Sequence, residues 1–184
     1  MNPTYVAIDV EGNQVTPPVL VQVCVSTVQG EFCLLEIPNS HGLSDDMRRL
    51  LHDQRITKIF CDGTSGADRR SLGIDVDLDN QVDLENITSS LMGATGVQRG
   101  LARILNLAWP QNVVRVTKDQ RDKKSVFFFA AIEQGKKPRL KGLDEIPDHI
   151  RRYAAMDAWC TMMAYLGLRQ VAQHEGKIVP VLMI

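Results

Sequence analysis

Apolar positions recur every second residue near the start of this chain and every third or fourth residue toward its end. YVAIDVE (5–11) alternates like a half-buried strand, and GNQVTPP after it is turn chemistry rich in Gly, Asn and Pro. VLVQVCVS (19–26) and EFCLLEI (31–37) predict two more strands across a short connection, so the first three strands form an antiparallel meander. From Leu43 the period lengthens. Leu43, Met47, Leu50 and Leu51 mark one face of a short helix with Ser44 as its N-cap, before ITKIFC (56–61) returns to strand. A helix between strands implies a crossover, so the fourth strand runs parallel to an earlier one. DGTSGADRRSLGI after Cys61 becomes helix-compatible, with Ser65 a candidate cap, and further helices are predicted at 84–92, 97–106 and 123–134. The last helix, 148–173, carries a stripe of Ile150, Tyr153, Ala154, Asp157, Ala158, Thr161, Met162 and Tyr165. The expected architecture is α/β with a mixed sheet, and with no internal repeat or linker residues 1–184 are expected to form one domain.

Composition narrows the class. In 184 residues, 44% are hydrophobic and 23% charged, which supplies one sizeable core and carries no signature of disorder. Cys24, Cys33, Cys61 and Cys160 are scattered, with no CxxC and no Cys/His cluster, and are expected to be reduced core thiols. The chain passes from Met1 into a strand at Tyr5 without a leader, and its longest apolar runs, such as VFFFAAI (126–132), fall far short of the roughly 20 residues of a membrane span. An intracellular, soluble protein is expected.

Net charge is −1, but it is unevenly distributed. Residues 1–114 hold 8 Lys/Arg against 14 Asp/Glu (−6), and residues 115–152 hold 11 against 6 (+5). The basic stretch comprises RVTKDQRDKK (115–124) and KKPRLK (136–141), followed by Arg151 and Arg152. By itself a charge run is a solvated face as readily as a phosphate-gripping rim; the second reading requires an acidic site nearby.

Such a site is legible. Asp9 and Glu11 lie at i and i+2 of an otherwise apolar strand, so both side chains project from the same face, where two like charges require a proton or a cation between them. Asp157 occupies the apolar stripe of the last helix, a poor place for a carboxylate, and Tyr153 precedes it by one turn on the same face. Asp68 follows the fourth strand near a helix start, with Asp62 as a local competitor. Carboxylates from two strand positions and two helices, converging on one pocket, are what hard ions such as Mg²⁺ or Mn²⁺ require. Two such ions activate water and stabilise a leaving oxygen in phosphodiester cleavage, which gives the acids and the basic stretch one substrate.

AIDVEG (7–12), LVQV (20–23), IFCDGTSGADRRSL (59–72) and YAAMDAW (153–159) together resemble the DEDD superfamily of 3′–5′ exonucleases, in the RNase D-like branch with Tyr in the third motif. DVEG followed by VQV, and Asp at both 62 and 68, look most like the Egalitarian-type domains, with VDLENI (82–87) and QRGLARILN (98–106) similar to that family's linking elements. The resemblance implies an RNase H-like fold, with a five-stranded mixed sheet flanked by helices. It implies Asp9, Glu11, Asp68 and Asp157 as ligands of two Mg²⁺ or Mn²⁺ ions, with Asp9 bridging them, and Tyr153 orienting the attacking water. The implied activity is 3′–5′ cleavage of single-stranded RNA, preferred to DNA, releasing nucleoside 5′-monophosphates. Lys123, Lys124, Lys136, Lys137 and Arg139 are the expected phosphate contacts. Phe127, Phe128, Phe129 and Trp109 are candidates to stack on a base, although an FFF run is more often core. A chain this small is expected to gain further grip on substrate from a protein partner or a second copy. The competing expectation is a catalytically idle RNA-binding adaptor on the same fold, against which stands the presence of all four acids and the tyrosine.

Overall fold

The computed structural model describes residues 4–12, 17–27, 29–63, 66–73, 80–92, 100–109 and 123–177. Five strands, β1 (Thr4–Glu11), β2 (Leu20–Thr27), β3 (Gly30–Glu36), β4 (Ile56–Phe60) and β5 (Gln81–Asp83), form one sheet in the order β3-β2-β1-β4-β5. β1 pairs antiparallel with β2, β2 antiparallel with β3, and β4 parallel with both β1 and β5. The expected meander and parallel fourth strand are therefore present. The three-residue β5 is too short to carry an alternation of its own and was not placed by the residue pattern.

The helices are α1 (Asp45–His52), α2 (Ala67–Ser71), α3 (Leu84–Met92), α4 (Leu101–Ala108), α5 (Lys123–Glu133) and α6 (Asp148–His174). Ser44 caps α1 as its sequence predicts, accepting from the Met47 amide while donating its hydroxyl to Glu36 at the end of β3. Ser65 lies outside the described residues. The first turn of α2 is instead satisfied by the Asp62 carboxylate, which accepts from the amides of Asp68 and Arg69 at 3.2 and 3.3 Å.

Alternation along β1 divides the core in two. Val6, Ile8 and Val10 pack with Met47 and Leu51 of α1 on one face. Tyr5 and Ala7 face the other way, into a cluster with Ile104, Leu105, Ala158, Met162, Tyr165 and Leu168 from α4 and α6. A third cluster, Val19, Leu20, Phe129, Ile132, Ile146, Ile150 and Ala154, fixes α5 and the start of α6 beside β2. The close crossing of α4 on α6 needs Gly167, because a Cβ there would stand 2.7 Å from both Ala108 Cβ and the Trp109 indole nitrogen. Gly12 ends β1 at φ 73, where a Cβ would also collide with the Val19 side chain. All four cysteines are free thiols; Cys24 and Cys160 are buried, while Cys33 and Cys61 are half-buried. Among the described residues no helix is long and apolar enough to cross a membrane.

Candidate metal centre

The strand period puts Asp9 and Glu11 on the α6 side of the sheet, in line with Tyr5 and Ala7. α6 crosses that side with its small residues Ala154 and Ala158 fully buried, so its backbone approaches the sheet closely and Asp157 comes down onto the end of β1. One carboxylate oxygen from each of Asp9, Glu11 and Asp157 lies within 4.8 Å of the other two. All three side chains are half-buried. Oxygens on opposite sides of a Mg²⁺ ion stand about 4 Å apart, so this spacing suits a hard divalent ion.

The electrostatics agree with that reading. The Asp9 carboxyl is held well above the usual carboxylate range, first by burial and then by the charges of Asp157, Asp68 and Glu11. Asp68 thus belongs to the same electrostatic neighbourhood, although it stands outside the tight trio; it is buried in the first turn of α2. Tyr153 is half-buried one helical turn before Asp157.

Asp62 is engaged within the fold. Its carboxylate is engaged by the amides of α2 and by Arg69, whose guanidinium reaches it at 2.7 Å and Asp83 at 3.4 Å. These side chains are 9% exposed for Arg69, 4% for Asp62 and 1% for Asp83, so the three form a buried clamp beneath α2. Asp83 also accepts from the amides of Gly63 and Glu85, both at 2.9 Å, and burial together with the neighbouring Asp62 pushes its carboxyl up to about 6. Arg69 and Asp83 were not singled out from the sequence. Their signal was an Asp placed immediately before a helical run and the first of two consecutive Arg residues after Asp68, neither of which stands out without the fold.

The basic residues divide. Lys136, Lys137 and Arg139 are exposed on the segment after α5, and Arg139 donates to the Pro17 carbonyl at 2.9 Å, tying that segment to the β1–β2 connection that begins just past Glu11. Lys123 and Lys124 open α5, and their side chains lie outside the described residues, as does the 115–122 part of the basic stretch. The FFF run splits three ways. Phe129 is core, Phe128 is half-buried under the Lys137 ammonium at 4.8 Å, and Phe127 is 69% exposed. Trp109 has a structural role, its indole donating to the Met163 carbonyl of α6 at 2.9 Å.

No protein-family model matches this sequence, and no curated protein does. Solved structures do. NrnC of Brucella melitensis aligns with a TM-score of 0.62 over 97% of this chain and 78% of its own, at 19% identity. Escherichia coli RNase D, an exoribonuclease involved in structured RNA processing, aligns at 0.57 over 97% of this chain and 42% of its own, at 16% identity. The catalytic core of RRP6 from Trypanosoma brucei gives 0.51 over 98% and 45%, also at 16% identity. Likeness at this level is likeness of fold. The chain has the RNase H-like fold of these nucleases, a mixed five-stranded sheet flanked by helices.

Proposed function

We propose that this chain is a metal-dependent 3′–5′ exonuclease of the DEDD type, in the branch with Tyr in its third motif and closest to the Egalitarian-type domains. Its proposed substrate is single-stranded RNA, preferred to DNA. The observation that carries the reading is the meeting of Asp9, Glu11 and Asp157 oxygens within 4.8 Å, from a strand and a helix far apart in the chain. The fold supports it, and the matching NrnC has been seen with Mg²⁺ and with pGG bound.

Asp9, Glu11 and Asp157 would hold one Mg²⁺ or Mn²⁺, and Asp68 together with Asp9 a second. Bound divalent ions supply Lewis-acid charge that lowers the pKa of water and offsets charge on a leaving oxygen. The protein's own part is positional. Tyr153 orients the attacking water, and Lys136, Lys137 and Arg139, with Lys123 and Lys124, grip phosphates away from the scissile bond. Water oxygen adds to the last internucleotide phosphorus as the water gives up a proton, the bond from phosphorus to the preceding 3′ oxygen breaks and that oxygen takes up a proton as the new 3′ hydroxyl, and the terminal nucleoside leaves as its 5′-monophosphate.

A time course on matched 5′-labelled single-stranded RNA and DNA, with Mg²⁺, Mn²⁺ or EDTA, tests this. The expected result is a ladder shortening from the 3′ side with metal, faster on RNA, and absent in EDTA. Full-length substrate in every lane overturns the proposal. Tyr153→Phe should slow turnover roughly 10–10³-fold; an unchanged rate removes Tyr153 from the mechanism.

A further inference from the structure

β2 carries one residue that its surroundings do not explain. Gln22 is fully buried, 0% exposed, and among the described residues no group hydrogen-bonds either its amide nitrogen or its amide oxygen. Three other buried polar side chains show how such a group is satisfied. The Lys58 ammonium donates to the Asp53 carbonyl, Ser71 to the Asp68 carbonyl, and Thr161 to the Asp157 carbonyl. An amide taken from water with neither end paired works against folding, and Leu or Met would fill the same volume without that cost.

Its place in the sheet supplies a reason. Gln22 is the antiparallel partner of Asp9, so the two side chains stand opposite each other on one face. The pairs on either side are Ala7 with Cys24 and Glu11 with Leu20. Cys24 packs in the cluster of Ala158, and Leu20 in that of Ala154. Gln22 therefore lies between these two apolar clusters, beneath the stretch of α6 that brings in Asp157, and is the one polar side chain at positions 20, 22 and 24 of its strand. An ionised carboxylate only accepts hydrogen bonds, and an amide NH₂ only donates.

We infer that Gln22 is the positioning residue for Asp9: its amide N–H donates to the Asp9 carboxylate when that carboxylate holds a divalent ion, fixing the oxygen that faces the metal. The inference rests on the metal-centre reading above. Outer hydrogen bonds of this kind orient metal-ligating carboxylates and typically account for 10–100-fold in metal affinity. The unpaired amide is then a local destabilisation retained for the metal-loaded state.

The test is a pair of measurements on the full chain that move in opposite directions. Gln22→Met removes the amide at nearly constant length, and Gln22→Leu repeats the change in case Met packs badly. Thermal unfolding in EDTA should shift upward by about 2–10 °C in at least one variant, because a buried unpaired group has gone. Mn²⁺ binding followed by titration calorimetry should weaken about 10–100-fold in the same variant. A purely structural glutamine predicts a lower unfolding temperature, and that result overturns the inference. So does Mn²⁺ affinity equal to that of the unaltered protein. If the unaltered protein takes up no Mn²⁺, it is the metal centre itself that fails, and the role of Gln22 falls with it.

Discussion

Asp9 concentrates the energetics of this molecule at the scale of a single residue. It is pressed by burial and by three neighbouring acids, all of which raise its pKa and disfavour its charged form. The sign of the consequence follows from linkage. A carboxyl whose folded-state pKa is raised holds its proton more tightly in the folded chain, so metal-free stability falls as pH climbs from the ordinary carboxylate value through the raised one. Asp9→Asn removes that repulsion. It should abolish cleavage and Mn²⁺ binding while leaving the melting temperature in EDTA unchanged or higher, as read by parallel activity and thermal-unfolding assays. A large drop in melting temperature would make Asp9 a structural acid.

At the scale of the element, the interest lies in how a five-residue helix is held firmly enough to carry Asp68. α2 is too short to be stable on propensity alone, and its cap residue Gly66 offers no side chain. The Asp62–Arg69–Asp83 clamp substitutes for both, joining the end of β4, the helix and the start of α3 through buried charges. Breaking a buried ion pair by removing one partner strands the other, which typically costs 3–5 kcal/mol. Arg69→Met leaves two buried carboxylates without their cation and should destabilise the fold by about that much in urea unfolding. A loss under 1 kcal/mol would mean that water reaches the pair and the clamp is not closed.

At the scale of the whole molecule, acid and base are separated in space but share one end of the sheet. The acidic trio sits where β1 ends, and the exposed Lys136, Lys137 and Arg139 follow α5, anchored to the connection leaving β1 by the Arg139–Pro17 bond. Replacing Lys136 and Lys137 by Gln should weaken oligonucleotide binding and lower the log–log salt slope by up to about one unit per lost phosphate contact. A slope that does not change would place these lysines on a solvated face unrelated to substrate.

What the sequence alone determined was whatever depends on neighbours within a turn or a strand. Alternation in YVAIDVE set Asp9 and Glu11 on one face, and the 3.6-residue period set Tyr153 and Asp157 on one stripe of the last helix, because side-chain direction follows backbone period without any help from the rest of the chain. The family-like motifs extended this to the mixed five-stranded sheet. Only the tertiary structure decided which acids meet, since the distance from Asp9 to Asp157 depends on small residues letting α6 down onto the sheet. It alone showed Asp62 bonded to the first-turn amides of α2, placed a three-residue strand with no period of its own, and divided one FFF run among core, margin and surface. Gln22 shows the division most sharply: a glutamine in a strand is unremarkable in one dimension, and its meaning arises only when the fold buries its amide, unpaired among the described residues, opposite Asp9 across the ladder.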